Sequence, residues 1–143
     1  MYERLGRTDE SLAKMREVYV SSRLLKPSAR TILTARNMAV KLLHLGDARS
    51  VAEARSIIRE TFSLAQNLLG NDHQHTFMCG DLLCACIVAD ERASRDEQVE
   101  AVVMTEDLLT RSRRIFGDPH PITQKLKSNL KLFSDRLTTR AQK

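Results

Sequence analysis

Five residues of metal-ligand type fall within fourteen positions: His73, His75, Cys79, Cys84 and Cys86. Imidazole nitrogen and thiolate sulfur suit zinc, which needs them to converge in a tetrahedron at about 2.0–2.3 Å. Their spacing on a helix works against convergence. Cys79 and Cys86 are seven apart and share a face, whereas Cys84 points about 160° away from Cys86 at 3.6 residues per turn. No CxxC pair occurs. Packed thiols in a helix interface are the expected role, since free Cys is among the most buried residue types; a metal site is the alternative. Ser, His, Asp and Glu are available, yet no nucleophile elbow, HExxH, P-loop or GxGxxG is present. We therefore expect no enzymatic activity, no cofactor and no metal.

The elements that hold these residues are set by punctuation. The chain has 5 Gly and 3 Pro in 143 residues, about half the usual share. Few punctuators mean few turns and long helices, which excludes a sandwich with a turn every eight to twelve residues. The length suits one domain with a modest core. Three clustered Cys make no disulfide framework, so a reducing, cytoplasmic setting is expected. The charged N-terminus has no apolar leader core. The longest apolar run, Leu82–Ala89, is far short of the ~20 residues a spanning helix needs. The net charge of +5 is uneven: residues 111–143 sum to +7 and the rest to −2.

An internal repeat is visible. LLGNDHQHT (Leu68–Thr76) and IFGDPHPIT (Ile115–Thr123) share an apolar residue, a Gly, His three on and Thr six on. Thr31, Thr76 and Thr123 are spaced by 45 and 47. Glu53-Ala54 and Glu100-Ala101 precede the two Gly by seventeen and sixteen residues, and Glu10-Ser11 takes that slot in the first unit. Between punctuators the apolar residues recur at i, i+3/i+4 and i+7. This predicts six helices, over 8–26, 29–45, 50–69, 74–90, 95–116 and 120–138, with a frayed tail at 139–143. Gly46 and Gly70 read as helix C-caps, and Pro119 and Pro121 as first-turn residues. Gly80 alone falls mid-helix, where close approach of two helices would explain it.

This pattern resembles tetratricopeptide repeats of the kinesin light chain type. The resemblance rests on IFGDPHPIT followed by Asn129-Leu130. It rests also on Thr31 followed by Asn37-Met38-Ala39, Leu45-Gly46-Asp47 and Glu53-Ala54. In the same register, YERLGRTDES reads as the end of one helix, a turn at Gly6, and the start of the next. The resemblance implies an all-α, right-handed solenoid of antiparallel helix pairs over residues 1–138. It departs from the pattern in two places. Lys131 stands in the small slot held by Ala39 and Cys84, so the last helix is expected to lack a following partner. The interval from Gly46 to Ala54 carries a three-residue insertion relative to that from Gly6 to Ser11. Such arrays normally close a core with three or more repeats, so a homodimer or part of a longer array is expected.

The resemblance further implies that the first helix of each pair lines a concave face. Carried over, the partner-binding positions are Arg36, Asn37, Val40 and His44; then Asp81, beside Ala85; then Lys125, Ser128 and Asn129, beside Leu132. Asn could grip a peptide backbone and basic groups could hold carboxylates; alternatively Asn37 and Asn129 satisfy groups between helices. The implied function is a protein-interaction module for a peptide or partner helix, with an acidic ligand as one option. A nucleic-acid or anionic-surface binder acting through the basic C-terminal helix is the alternative, disfavoured by the lack of an aromatic platform. The register has a direct test. Leu83 lies in the predicted helix interface, so Leu83→Asp should abolish the cooperative thermal transition by burying an unpaired charge. A variant that melts like the parent would break the register.

Overall fold

The computed structural model describes the backbone of residues 2–24 and 28–141 and the side chains of 10–21 and 28–139. It is all-helical: α1 (Tyr2–Leu24), α2 (Ala29–Leu45), α3 (Ala48–Leu69), α4 (Gln74–Ala89), α5 (Arg95–Phe116) and α6 (Pro121–Ala141), with no strand among the described residues. Each helix packs on the next in sequence, and α4 also touches α2 and α6. On the opposite side α3 and α5 make no such contact with each other. The closely spaced row is therefore α2, α4 and α6, with α3 and α5 behind it.

The repeated motif is a junction device. Gly70 and Gly117 end α3 and α5 with φ of 88° and 89°, a region that costs a side chain and suits Gly. The His three residues on is an N-terminal cap. His73 Nδ1 accepts from the His75 amide at 3.1 Å, and His120 Nδ1 accepts from the Ile122 amide at 3.2 Å. The Thr three further on is buried and ties the pair together. Thr76 Oγ1 donates to the Gly70 carbonyl at 2.7 Å, and Thr123 bonds Ser112 of α5. In the first unit Ser28 takes the His slot, and its amide donates to Thr31 Oγ1 at 3.2 Å. Thus the His, a catalytic type by composition, spends its δ nitrogen on a helix end.

Three boundaries among the described residues differ from expectation by two residues or more. Residues 2–24 form one helix through Gly6, so the turn expected there is absent. A Gly inside a helix costs only about 1 kcal/mol against Ala, too little to break a helix that is otherwise well formed. Second, α3 starts at Ala48 rather than 50. Asp47 follows Gly46 directly and its carboxylate accepts from the Ser50 amide at 3.1 Å. The expected insertion is thus absorbed in the first turns of α3, not in a loop. Third, α6 continues to Ala141, beyond the predicted end at 138. Pro27 and the junction around it lie outside the described residues.

Gly80 is explained by packing. A Cβ built there would stand 2.8 Å from Phe62 Cε2 on α3 and 3.1 Å from Leu108 Cδ1 on α5. The helix is wedged between two neighbours at the one position that lacks a side chain. Overpacking costs about 1–3 kcal/mol and the better helix propensity of Ala returns about 1 kcal/mol. Gly80→Ala should therefore lower the chemical-denaturation stability by about 1 kcal/mol. Introduced into a Phe62→Leu background, it should lose most of that penalty. An equal cost in both backgrounds would show that Phe62 is not what the Cβ meets.

Candidate functional site

The spacing i, i+4, i+7, i+11 selects one stripe on each helix of the close row. On α2 it holds Leu33, Asn37, Val40 and His44; on α4, Met78, Leu82, Ala85 and Ala89; on α6, Lys125, Asn129, Leu132 and Arg136. The three stripes occupy equivalent repeat slots but differ in chemistry. The central one is apolar throughout and ends in two Ala, while that of α6 carries two cations. A groove of about 750 Å³ opens over them, lined by residues of all three helices. Its lining runs along the C-terminal part of the stripes, without Leu33, Asn37 and Met78, and keeps one large apolar group in water: Leu132 is 52% exposed.

Five of the eight expected site residues line this groove: Val40, His44, Asp81, Lys125 and Asn129. The other three do not. Arg36 is half-buried and donates from Nη1 to Met78 Sδ at 3.6 Å, bridging α2 to α4. Asn37 and Ser128 are exposed and stand outside the lining. Ala89 and Arg136 line the groove as well, and they were missed. They are His44 carried forward by one and two repeats, so extending the carry-over by one helical turn would have found them.

Asp81 is the buried polar centre of the site, only 5% exposed. Asn129 Nδ2 donates to both of its oxygens, at 3.0 and 2.9 Å, and Lys125 Nζ stands 4.0 Å away. Burial pushes the carboxyl above the ordinary range, while Asn129 and Lys125 pull it back. Asp81 occupies the slot of Arg36, and Lys125 that of Met78. The same inter-helix contact is therefore made twice, once by guanidinium and thioether and once by carboxylate and ammonium. Asn129 is occupied between helices, so a double substitution of Asn37 and Asn129 is no clean probe of partner binding.

The cluster of metal-ligand types is dispersed. Cys79, Cys84 and Cys86 are free and buried, and burial pushes their thiols up to about 11, about 11 and about 12. Cys79 feels Arg36 of α2, Cys84 bonds Thr105 of α5, and Cys86 feels Arg55 of α3. The thiols are thus spread around α4, and thiols held this far from ionisation are poor nucleophiles. His73 and His75 stack with centroids 5.2 Å apart. Burial, then His73 and Arg36, lower the affinity of His75 for a proton. Among the described residues no three His, Cys, Asp or Glu side chains are placed to hold a metal ion. No helix among them is long and apolar enough to cross a membrane.

No family model, curated protein or solved structure matches the chain.

The pairing of Asp81 sets two expectations. Asn129→Ala strands a buried carboxylate and should cost about 1–3 kcal/mol in denaturant unfolding, whereas exposed Asn37→Ala should stay within about 0.5 kcal/mol of the parent. The pH dependence has a definite sign. An acid whose folded pKa is raised binds more protons folded than unfolded, so stability falls as pH rises from the usual Asp range through the raised folded value. Asp81→Asn removes that loss while keeping an acceptor for Asn129. It should be more stable than the parent at neutral pH, and the advantage should shrink as pH falls through the raised folded value and be gone below the ordinary Asp range. An Asn variant less stable than the parent at pH 7 would show that Asn129 and Lys125 outweigh burial.

Proposed function

We propose that the chain is a non-enzymatic protein-interaction module, a helix-pair repeat of the tetratricopeptide kind, that receives a peptide or partner helix in the groove over α2, α4 and α6. The observation that carries this reading is a groove of about 750 Å³ floored by half-buried Leu82, Ala85 and Ala89 of α4 and edged by exposed Leu132 of α6. Contiguous apolar surface left in water by a folded domain marks a docking surface more often than chance exposure does. The titratable groups support it too. The junction His are committed to helix ends and the thiols are shut away in interfaces, so among these groups the groove receives only the His44 imidazole. Three thiols with no disulfide fit a reducing, cytoplasmic setting.

The test uses Leu132→Glu combined with Arg136→Glu, since both positions are exposed and surface changes of this kind leave stability within about 0.5 kcal/mol. Partners cross-linked to the parent in cells and identified by mass spectrometry should be lost from the double variant, with an unchanged melting temperature. Retention of those partners by the double variant would refute the groove. Affinity for arbitrary nucleic acid that falls steeply with salt and vanishes in Lys127→Glu plus Lys131→Glu would transfer the function to the basic outer face of α6.

A further inference from the structure

We propose that the groove is built for a partner already in helical form, an amphipathic α-helix with an apolar stripe and acidic residues along the flank that meets α6. This rests on the reading of the groove as a docking surface and says what kind of chain enters it.

The first argument is about backbone hydrogen bonds. An extended peptide brings an unpaired N–H and C=O at every residue, and these must be satisfied if they are buried. The central stripe offers nothing for them, being Met78, Leu82, Ala85 and Ala89. The one amide in the lining, Asn129, gives its Nδ2 donors to Asp81, which leaves its Oδ1 and the His44 imidazole, two groups at separate places and no ladder for a backbone. Asn37, the other Asn of the stripes, stands outside the lining. A helix satisfies its own backbone and asks the floor only for shape and apolar contact.

Shape agrees with a helix. The two Ala of the α4 stripe let it sit deep, and the i, i+4, i+7, i+11 rows offer the ridges and holes that helix packing uses.

Charge fixes the chemistry and the side. Lys125, 64% exposed at its side chain, and exposed Arg136 stand on α6 eleven residues apart. That is about three turns, or ~16 Å. The two acids of the lining lie off α6: Asp81 is buried on α4 and shares Lys125 with any ligand, and Glu91 follows the end of α4, so the cationic flank is that of α6, with Arg136 its main charge. A helix with two acids spaced by about three turns on one flank would meet both cations, with its apolar stripe on α4.

The experiment selects peptides on the full chain from two display libraries of 22-residue sequences. One carries a Leu-rich helical stripe with flanks randomised among Glu, Gln and Lys; the other is the same with two interior Pro. Groove-dependent clones are those lost on the folded Leu132→Glu variant. We expect them from the helical library alone, enriched for Glu on one flank, weakened at least tenfold by Arg136→Glu, and restored there by Glu→Lys in the peptide. Groove-dependent clones arising equally from the Pro library would overturn the helical inference and leave the groove standing as an extended-peptide site. Enrichment of Lys, or no flank preference, would overturn the charge assignment. No groove-dependent clone from either library would overturn the proposal, and the cross-linking test above would then decide separately whether the groove docks anything.

Discussion

Everything in this molecule is arranged around the confinement of α4. Among the described residues it is the one helix that touches four others: α2, α3, α5 and α6. A helix covered on every side but the groove stripe has little place for polar groups, and neighbours on several sides leave no room for bulk. Its sequence, QHTFMCGDLLCACIVA, answers both demands. Cys79, Gly80, Cys84 and Cys86 are small, apolar in effect and buried. A sequence feature that looks like a ligand cluster is the composition of a crowded helix. Gly80 is its extreme, the point where Phe62 and Leu108 come too close for even a methyl group.

Confinement also explains why the two ends are polar in different ways. Neighbours are tied across the layers by ionic clasps, not by more core. Arg55 of α3 reaches Asp90 at the end of α4, at 3.1 Å, and Glu97 in the first turn of α5. Arg16 of α1 takes Glu53 of α3 through two bonds of 2.9 and 2.8 Å. Lys131 stands in the slot where Ala39 and Cys84 are buried, and there it is exposed. Among the described residues no helix covers that side of α6.

What could be read from the residues alone was whatever local chemistry decides. The helices and the turns at Gly46, Gly70 and Gly117 follow from apolar period and φ preference, and Gly80 could be assigned to packing because a helix gains nothing else from it. Gly6 misled because the same residue type can end a helix or ride inside one, and the difference of about 1 kcal/mol is settled by neighbours. At the site, the helical period found the faces but not the pairings. Asp81 and Asn129 are 48 residues apart, and no local pattern distinguishes an Asn that waits for a partner from one already holding a buried carboxylate. Arg36 likewise sat at a groove slot by register, and the thioether of Met78 drew it into the interface.

The basic surplus of the C-terminal quarter invites a reading as an anion-binding patch, and the structure divides it. Arg111 is spent on the Asn71 carbonyl and the Asp72 carboxylate, at 2.9 and 3.3 Å, with its guanidinium over the Phe77 ring. Arg113 pairs with Asp118 at 2.9 Å. Of the α6 cations, Lys125 and Arg136 lie about 20° apart around the helix, whereas Lys127 and Lys131 lie some 160° and 120° from Lys125. Neither pair makes a dense phosphate-tracking stripe, since a duplex presents a charge about every 1.7 Å. Two cations three turns apart beside an apolar trough suit a ligand with few charges at defined places. The net charge thus carries less information about partners than the angular position of each Lys and Arg on α6.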